Sequence, residues 1–168
     1  RVPVYGFYPI KEEELIAQPL ALGIILESAR LHGGGILNQT YDFSAGVFYS
    51  LSDLEDAVAQ KGPGVCLFSN YVWTVADNLA ASNRVKGIYR DCITIHGGPS
   101  TPKYPDACAA FLLRNRQVDI AVRGEGESTF VELLDRLQLY FEHFDRRRLE
   151  ALESVNGITF VAESRLCP

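Results

Sequence analysis

The sequence predicts an α/β domain of three layers, a five-stranded parallel sheet with helices on both faces. Two observations predict it. Between Ile93 and Glu127 one pattern occurs twice: a short strand-like run, a glycine-bearing exit and an amphipathic helix. Ile93-Thr94-Ile95 runs out into His96-Gly97-Gly98-Pro99, and Val118-Asp119-Ile120-Ala121-Val122 runs out into Gly124-Glu125-Gly126-Glu127. Crossover helices of such length are what join parallel neighbours. The second observation is Val65-Cys66-Leu67-Phe68, an uninterrupted apolar run between turn signals, as expected of a central strand covered on both faces.

The elements follow in order. Val2 to Tyr8 alternates small and aromatic residues and reads as the first strand, ended by Pro9. Lys11-Glu12-Glu13-Glu14 reads as a solvated loop or short helical turn. Pro19 suits a helix start, with Leu22, Ile25, Leu26 and Ala29 on one face and Gly33-Gly34-Gly35 as the stop. Ile36 to Phe43 is the second strand. Ser52-Asp53-Leu54-Glu55 matches a capping box for a helix through Leu54, Ala57 and Val58, ended by Gly62-Pro63-Gly64. After the Val65 strand, Thr74-Val75-Ala76-Asp77 offers another cap, for a helix through Val75, Leu79 and Val85. Pro105 fits the first turn of the helix carrying Cys108, Phe111 and Leu112. Phe130, Leu133, Leu134, Leu137 and Phe141 mark a strongly amphipathic helix. Residues 142–168 read as a charged linker, Glu142 to Glu153, with a possible sixth, edge strand at Ile158 to Ala162. The order is that of a flavodoxin-like or Rossmann-like domain, whose ligands bind beyond the carboxyl ends of the strands. The glycine-bearing exits lie side by side there.

Composition narrows the function. The chain has 168 residues and a net charge of −5, which gives no general attraction for nucleic acid or an anionic membrane. No apolar run approaches the roughly 20 residues of a spanning helix. Cys66, Cys92, Cys108 and Cys167 form no CxxC pair and read as buried reduced thiols, which predicts a cytoplasmic protein. The absence of methionine points to a piece of a longer chain.

Several chemistries lack their residues. The first strand exits into Tyr8-Pro9-Ile10-Lys11 rather than GxGxxG, and Gly124-Glu125-Gly126-Glu127 lacks a third glycine and carries two carboxylates that would repel a pyrophosphate, so NAD and FAD are disfavoured. There is no Walker GxxxxGK[ST] loop. The third strand exits into Ser69 and Asn70, without the aspartate of a phospho-acceptor receiver domain. There is no GxSxG elbow to pair with a histidine. Neither cysteines nor histidines show metal-ligand spacing. No catalytic or metal-binding residue is therefore assigned. His96 at its strand exit reads as a strand-capping or ligand-contacting residue. Tyr71 and Trp73, in the exit Ser69-Asn70-Tyr71-Val72-Trp73, either cover the end of the core or lie under a flat ligand.

Gly97-Gly98-Pro99-Ser100, then Pro105, then the segment from Val118-Asp119 through Val122-Arg123-Gly124-Glu125-Gly126-Glu127-Ser128-Thr129-Phe130 to Leu134 match a run of motifs: GGP with a small polar residue, a helix-start proline, and VDxxVxGEGE[ES]TFxELL. On these the sequence resembles the N-terminal cobalamin-binding domain of B12-dependent radical SAM enzymes. Pro19-Leu20-Ala21-Leu22-Gly23 and the Ser69 to Trp73 exit are similar more loosely.

The resemblance implies a cobalamin site in which Ser69, Asn70, Tyr71, Val72 and Trp73 lie below the corrin. It lets the nucleotide tail pass against the bare backbone of Gly97 and Gly98, counts His96, Pro99 and Ser100 among the cofactor-binding residues, and has Gly124, Glu125, Gly126 and Glu127 flanking the tail or the corrin amides. Ser69, Ser100 and Thr101 would supply hydrogen bonds. The DxHxxG motif that brings an axial histidine is absent, which implies cobalamin bound base-off without a protein imidazole, suited to methyl transfer. CxxxCxxC is also absent, so a 4Fe-4S cluster and S-adenosylmethionine would belong to a downstream radical SAM barrel. Residues 1–141 would then be the cobalamin domain and 142–168 the lead toward that barrel, the fragment being inactive alone. The alternative is a non-catalytic flavodoxin-like domain binding another ligand or a partner.

Overall fold

The computed structural model describes residues 1–10, 20–162 and 165–167. The expected charged turn at Lys11 to Glu14 and the helix-start Pro19 lie outside the described residues.

Strands β1 (Val2–Phe7), β2 (Tyr41–Asp42), β3 (Val47–Phe48), β4 (Val65–Ser69), β5 (Ile93–Gly97) and β6 (Ile120–Val122) run parallel. Strands β7 (Ile158–Ala162) and β8 (Arg165–Cys167) extend the sheet antiparallel beyond β6. The order is β2-β1-β4-β5-β6-β7-β8, with β3 also on β1, so the short β2 and β3 share one outer position. Counting that position once, the parallel part reads 2-1-3-4-5, the flavodoxin-like winding.

Five parallel strands and a possible sixth, edge strand at Ile158 to Ala162 were expected; that sixth is β7, and the sheet is wider because β8 lies outside it. Ile158, Thr159 and Phe160 are buried on β6, and β8 pairs with Phe160, Val161 and Ala162 on the other side of β7. A second correction concerns Ile36 to Phe43, which is a strand only at Tyr41–Asp42. Gly33, Gly34 and Gly35 all have positive φ, and the Asn38 amide donates to the carbonyls of Arg30 and Gly35. The chain is thereby wound into 3-10 turns at His32–Gly34 and Ile36–Gln39 before it reaches β2.

Helices α1 (Leu20–Leu31) and α5 (Glu127–His143) cover one face, where Leu22, Leu26 and Ala29 meet Leu133, Leu134 and Leu137 over Val65, Leu67, Ile93 and Ile95. On the other face, α2 (Leu51–Lys61) and α3 (Val75–Ile88) bury Leu54, Val58, Ala81 and Val85 on Tyr5, Phe7, Cys66 and Phe68. There too α4 (Pro105–Arg114) sets Cys108 and Leu112 on Ala121, with Pro105 in its first turn as expected. The period-2 alternation of the strands divides the two cores. A 3-10 segment, Arg146–Ser154, packs Leu149 and Leu152 against α5. All four cysteines are buried and free, as expected. Among the described residues no helix is long and apolar enough to cross a membrane.

The cap of α2 sits two residues earlier than the sequence indicates. Ser50, not Ser52, accepts from the Asp53 N–H at 3.2 Å, because Leu51 already packs into the core as the first helical residue. Ser50→Ala is expected to lower stability by about 1 kcal/mol. Ser52→Ala should change it by far less, which urea unfolding of the two variants will show.

Candidate functional site

The carboxyl ends of β4, β5 and β6 open toward the α1/α5 face onto a cavity of about 200 Å³. Leu22 and Ile25 of α1, Gly124 to Glu127, Phe130 of α5 and the strand residues Leu67, Ile95 and Val122 line it. Of the residues expected at a ligand site, Ser69, Tyr71, Gly97, Gly98, Pro99, Gly124, Glu125, Gly126 and Glu127 line it. Three separate strand exits are thus brought to one slot. The Glu125 and Glu127 carboxylates stand exposed at its rim.

The exit of β4 also carries a shelf. The Tyr71 ring stacks on Trp73, with centroids 5.0 Å apart and planes 17° from parallel, and meets Tyr8 edge-on at 6.4 Å. Trp73 Nε1 donates to the Tyr8 hydroxyl at 3.3 Å. Trp73 remains 53% exposed and its neighbour Val72 78%. Of the two readings of these aromatics, covering the core is excluded for Trp73, since a core lid would not leave half its surface in water. Only Tyr71 is partly buried against the core.

Asn70, Val72, Trp73, His96 and Ser100 do not line the slot. Because side chains alternate along β5, Ile95 faces the slot and His96 faces α3 and α4, stacked on Phe68 at 4.6 Å. Burial drives its pKa down from 6.5 to about 3, so the imidazole is neutral. His96 belongs to a fully buried polar layer beneath the loops. Its Nδ1 lies 3.2 Å from the Asn70 amide nitrogen, Asn70 Nδ2 donates to Thr101 Oγ1 at 3.1 Å, and Asn78 Nδ2 donates to Asn70 Oδ1 and to the Ser69 carbonyl, both at 2.9 Å. Thr74, read as a helix cap, instead accepts from the Tyr71 N–H and donates to the Ser69 carbonyl, each at 2.9 Å.

Asn78 was not anticipated. The available signal was the weak apolar pattern of its helix: the face of α3 turned to the sheet carries Asn78 and Ser82 beside Ala81 and Val85. A polar residue on an otherwise buried stripe marks a buried network.

A larger, open hollow of about 920 Å³ lies at the opposite rim, among Arg84, Lys86, Arg90, Arg116, Asp119 and Arg146. Its buried carboxylate, Asp119, is already bound to Lys86 and Arg146. It has no glycine-bearing strand exits and sits at the amino ends of the strands, whereas ligands of open α/β sheets bind beyond the carboxyl ends, which makes the smaller slot the candidate site. Among the described residues no group of three or more His, Cys, Asp or Glu could hold a metal ion.

No family model matches the chain. Two curated methyltransferases do. The chain is 32% identical over 117 residues to the 2-(S-pantetheinyl)-carbapenam-3-carboxylate methyltransferase of Streptantibioticus cattleyicolor, covering 70% of this chain and 16% of that protein. It is 32% identical over 96 residues to TokK of Streptomyces tokunonensis, a cobalamin-dependent radical SAM methyltransferase, covering 56% of this chain and 13% of TokK. The chain therefore spans a small part of the curated relatives it matches.

Proposed function

We propose that this chain is the cobalamin-binding module of a longer radical SAM enzyme of the methyltransferase class. The observation that carries the reading is the convergence of Ser69 and Tyr71, Gly97 to Pro99 and Gly124 to Glu127 on one slot beside an exposed aromatic shelf, in a chain similar to TokK.

The fit can be tested on size. At about 200 Å³ the slot is smaller than the roughly 300–1,000 Å³ that encloses a drug-sized ligand, so it takes only part of a large one. Cobalamin has a matching division into a narrow nucleotide tail and a broad corrin disc. Gly97 and Gly98 present bare backbone to the tail, Gly124 to Glu127 flank it, and the Tyr71–Trp73 stack supports the apolar disc. Bound there, cobalamin supplies a methyl group carried on cobalt.

Base-off binding without a protein imidazole has support in the placement of the histidines. His96 is buried under the loops, and His32 and His143 stand at the carboxyl ends of α1 and α5, at the opposite rim. None of the three reaches the shelf. The cluster and S-adenosylmethionine would be held by a barrel domain outside this chain, with residues 142–168 leading toward it.

The purified chain mixed with hydroxocobalamin is expected to leave gel filtration coloured, with a visible spectrum of the base-off type. A colourless protein would sink the reading and favour a domain that binds another ligand or a partner. A base-on spectrum would overturn the base-off assignment alone.

A further inference from the structure

We infer that Asn70 and Thr101 are positioning residues: they hold the Gly97–Ser100 loop over the slot and act on the ligand only through that loop. The inference rests on the cobalamin reading for the identity of the ligand and on the geometry alone for the clamp.

Two loops must keep their spacing for the slot to exist, the exit of β4 and the exit of β5. Asn70 belongs to the first and binds the second in four ways. Its N–H donates to the Gly97 carbonyl at 2.7 Å, and its carbonyl accepts from the Ser100 N–H at 2.9 Å. Its side-chain Nδ2 donates to Thr101 Oγ1 at 3.1 Å and its amide contacts His96 Nδ1. Asn78 donates to Asn70 Oδ1, which fixes the amide with its nitrogen toward Thr101. The Thr101 N–H in turn donates to the Gly98 carbonyl at 3.0 Å, closing the turn that carries Gly98 and Pro99.

Asn70, Asn78 and His96 are 0% exposed and Thr101 3%. None of the four lines the slot. A polar layer buried to this degree is costly unless its members satisfy one another, and replacing it by apolar side chains would serve the core at least as well. Two of its atoms, His96 Nε2 and Asn78 Oδ1, have no protein partner among the described residues. The layer is thus not an optimum for stability. What it does achieve is a fixed distance between two glycine-containing loops that have few side chains of their own with which to pack. A rim held rigid before binding loses less entropy when the ligand arrives.

Thr101→Val keeps the shape and removes the acceptor, whereas Thr101→Ser keeps the hydroxyl. In the ligand-free chain, amide exchange at Ser100 is expected to quicken on the order of tenfold in Thr101→Val, the effect of one net hydrogen bond, and to return toward wild type in Thr101→Ser. The amides of β5 should stay protected in both, which marks the change as local. Retention of hydroxocobalamin should fall by a similar factor in Thr101→Val and recover in Thr101→Ser. Asn70→Ser, which shortens the side chain out of reach of Thr101 and also removes the contacts to Asn78 and His96, should quicken exchange at Ser100 at least as much. Unchanged exchange at Ser100 in Thr101→Val and Asn70→Ser overturns the clamp. Faster exchange with unchanged retention overturns its role in binding. A wild-type chain that retains no hydroxocobalamin overturns the choice of ligand, and the exchange result still decides whether the clamp exists.

Discussion

Alanine at position 98 is expected to destroy the slot, while alanine at 97 should only narrow it. Gly98 has φ of +96°, a conformation that costs an L-residue about 1–2 kcal/mol. A Cβ there would stand 2.9 Å from the Asn70 carbonyl oxygen and 3.0 Å from the Asn70 nitrogen. Both are backbone atoms of the neighbouring loop, so no rotamer change relieves the contact. The loops must separate, breaking the Asn70–Gly97 and Ser100–Asn70 backbone bonds, for a total on the order of 3 kcal/mol. Gly97 has no such conflict: its Cβ would meet Val122 Cβ at 3.6 Å, an ordinary contact. Gly97→Ala should therefore unfold in urea close to wild type and lose hydroxocobalamin affinity by crowding the slot. Gly98→Ala should lose most of its retention and a large part of its stability. Equal urea midpoints for Gly98→Ala and wild type would show the two loops to be independent.

The same residues show what the sequence could and could not convey. Apolar runs and glycine-bearing exits are local features, so the parallel α/β class and the neighbouring of the strand exits were legible from them, whereas the choice between flavodoxin-like and Rossmann-like winding was not. The direction of His96 was legible in principle, because Ile95 and His96 must face opposite sides, yet the strand's register with its helices is needed to know which side holds the slot. The 3-10 turns before Tyr41 depend on Asn38 reaching back to Arg30 across three glycines, a contact between segments that periodicity does not encode. The strand at Ile158 to Ala162 was legible from its apolar run, but its antiparallel direction and the further strand β8 were not, because a charged stretch precedes them in which only Leu149 and Leu152 are buried while most of the charges stay in solvent.

Asp119, within the motif that carries the resemblance, works at the far rim as a structural anchor. Its carboxylate accepts from the Thr94 N–H at 2.9 Å and the Thr94 hydroxyl at 3.0 Å, and it pairs with Lys86 and with Arg146 at 2.8 Å. It thereby joins the ends of α3 and the Arg146–Ser154 segment to the starts of β5 and β6. Burial by itself would raise its pKa, but Lys86, Arg146 and the hydrogen bonds together take it below its ordinary 3.8. Asp119→Asn keeps the size and leaves two cations facing each other with no anion between them. The loss of one partner from a buried pair costs about 3–5 kcal/mol, and Arg146, one-third exposed, brings the expected loss to the lower end. The pH dependence separates this group from His96. A carboxylate with a depressed folded pKa stabilises the fold above its unfolded value, and that contribution disappears as pH falls below about 4. His96, depressed from 6.5 to about 3, also favours the fold when neutral, and its contribution is lost earlier, as the unfolded chain takes up a proton below pH 6.5. Urea midpoints measured from pH 7 to pH 3 should therefore decline from about pH 6.5 in both wild type and Asp119→Asn, with the variant lower throughout. Only the wild type should steepen below about pH 4. A variant as stable as wild type at pH 7 would mean that Lys86 and Arg146 find water or other partners once the carboxylate is gone, and that the far rim does not depend on Asp119.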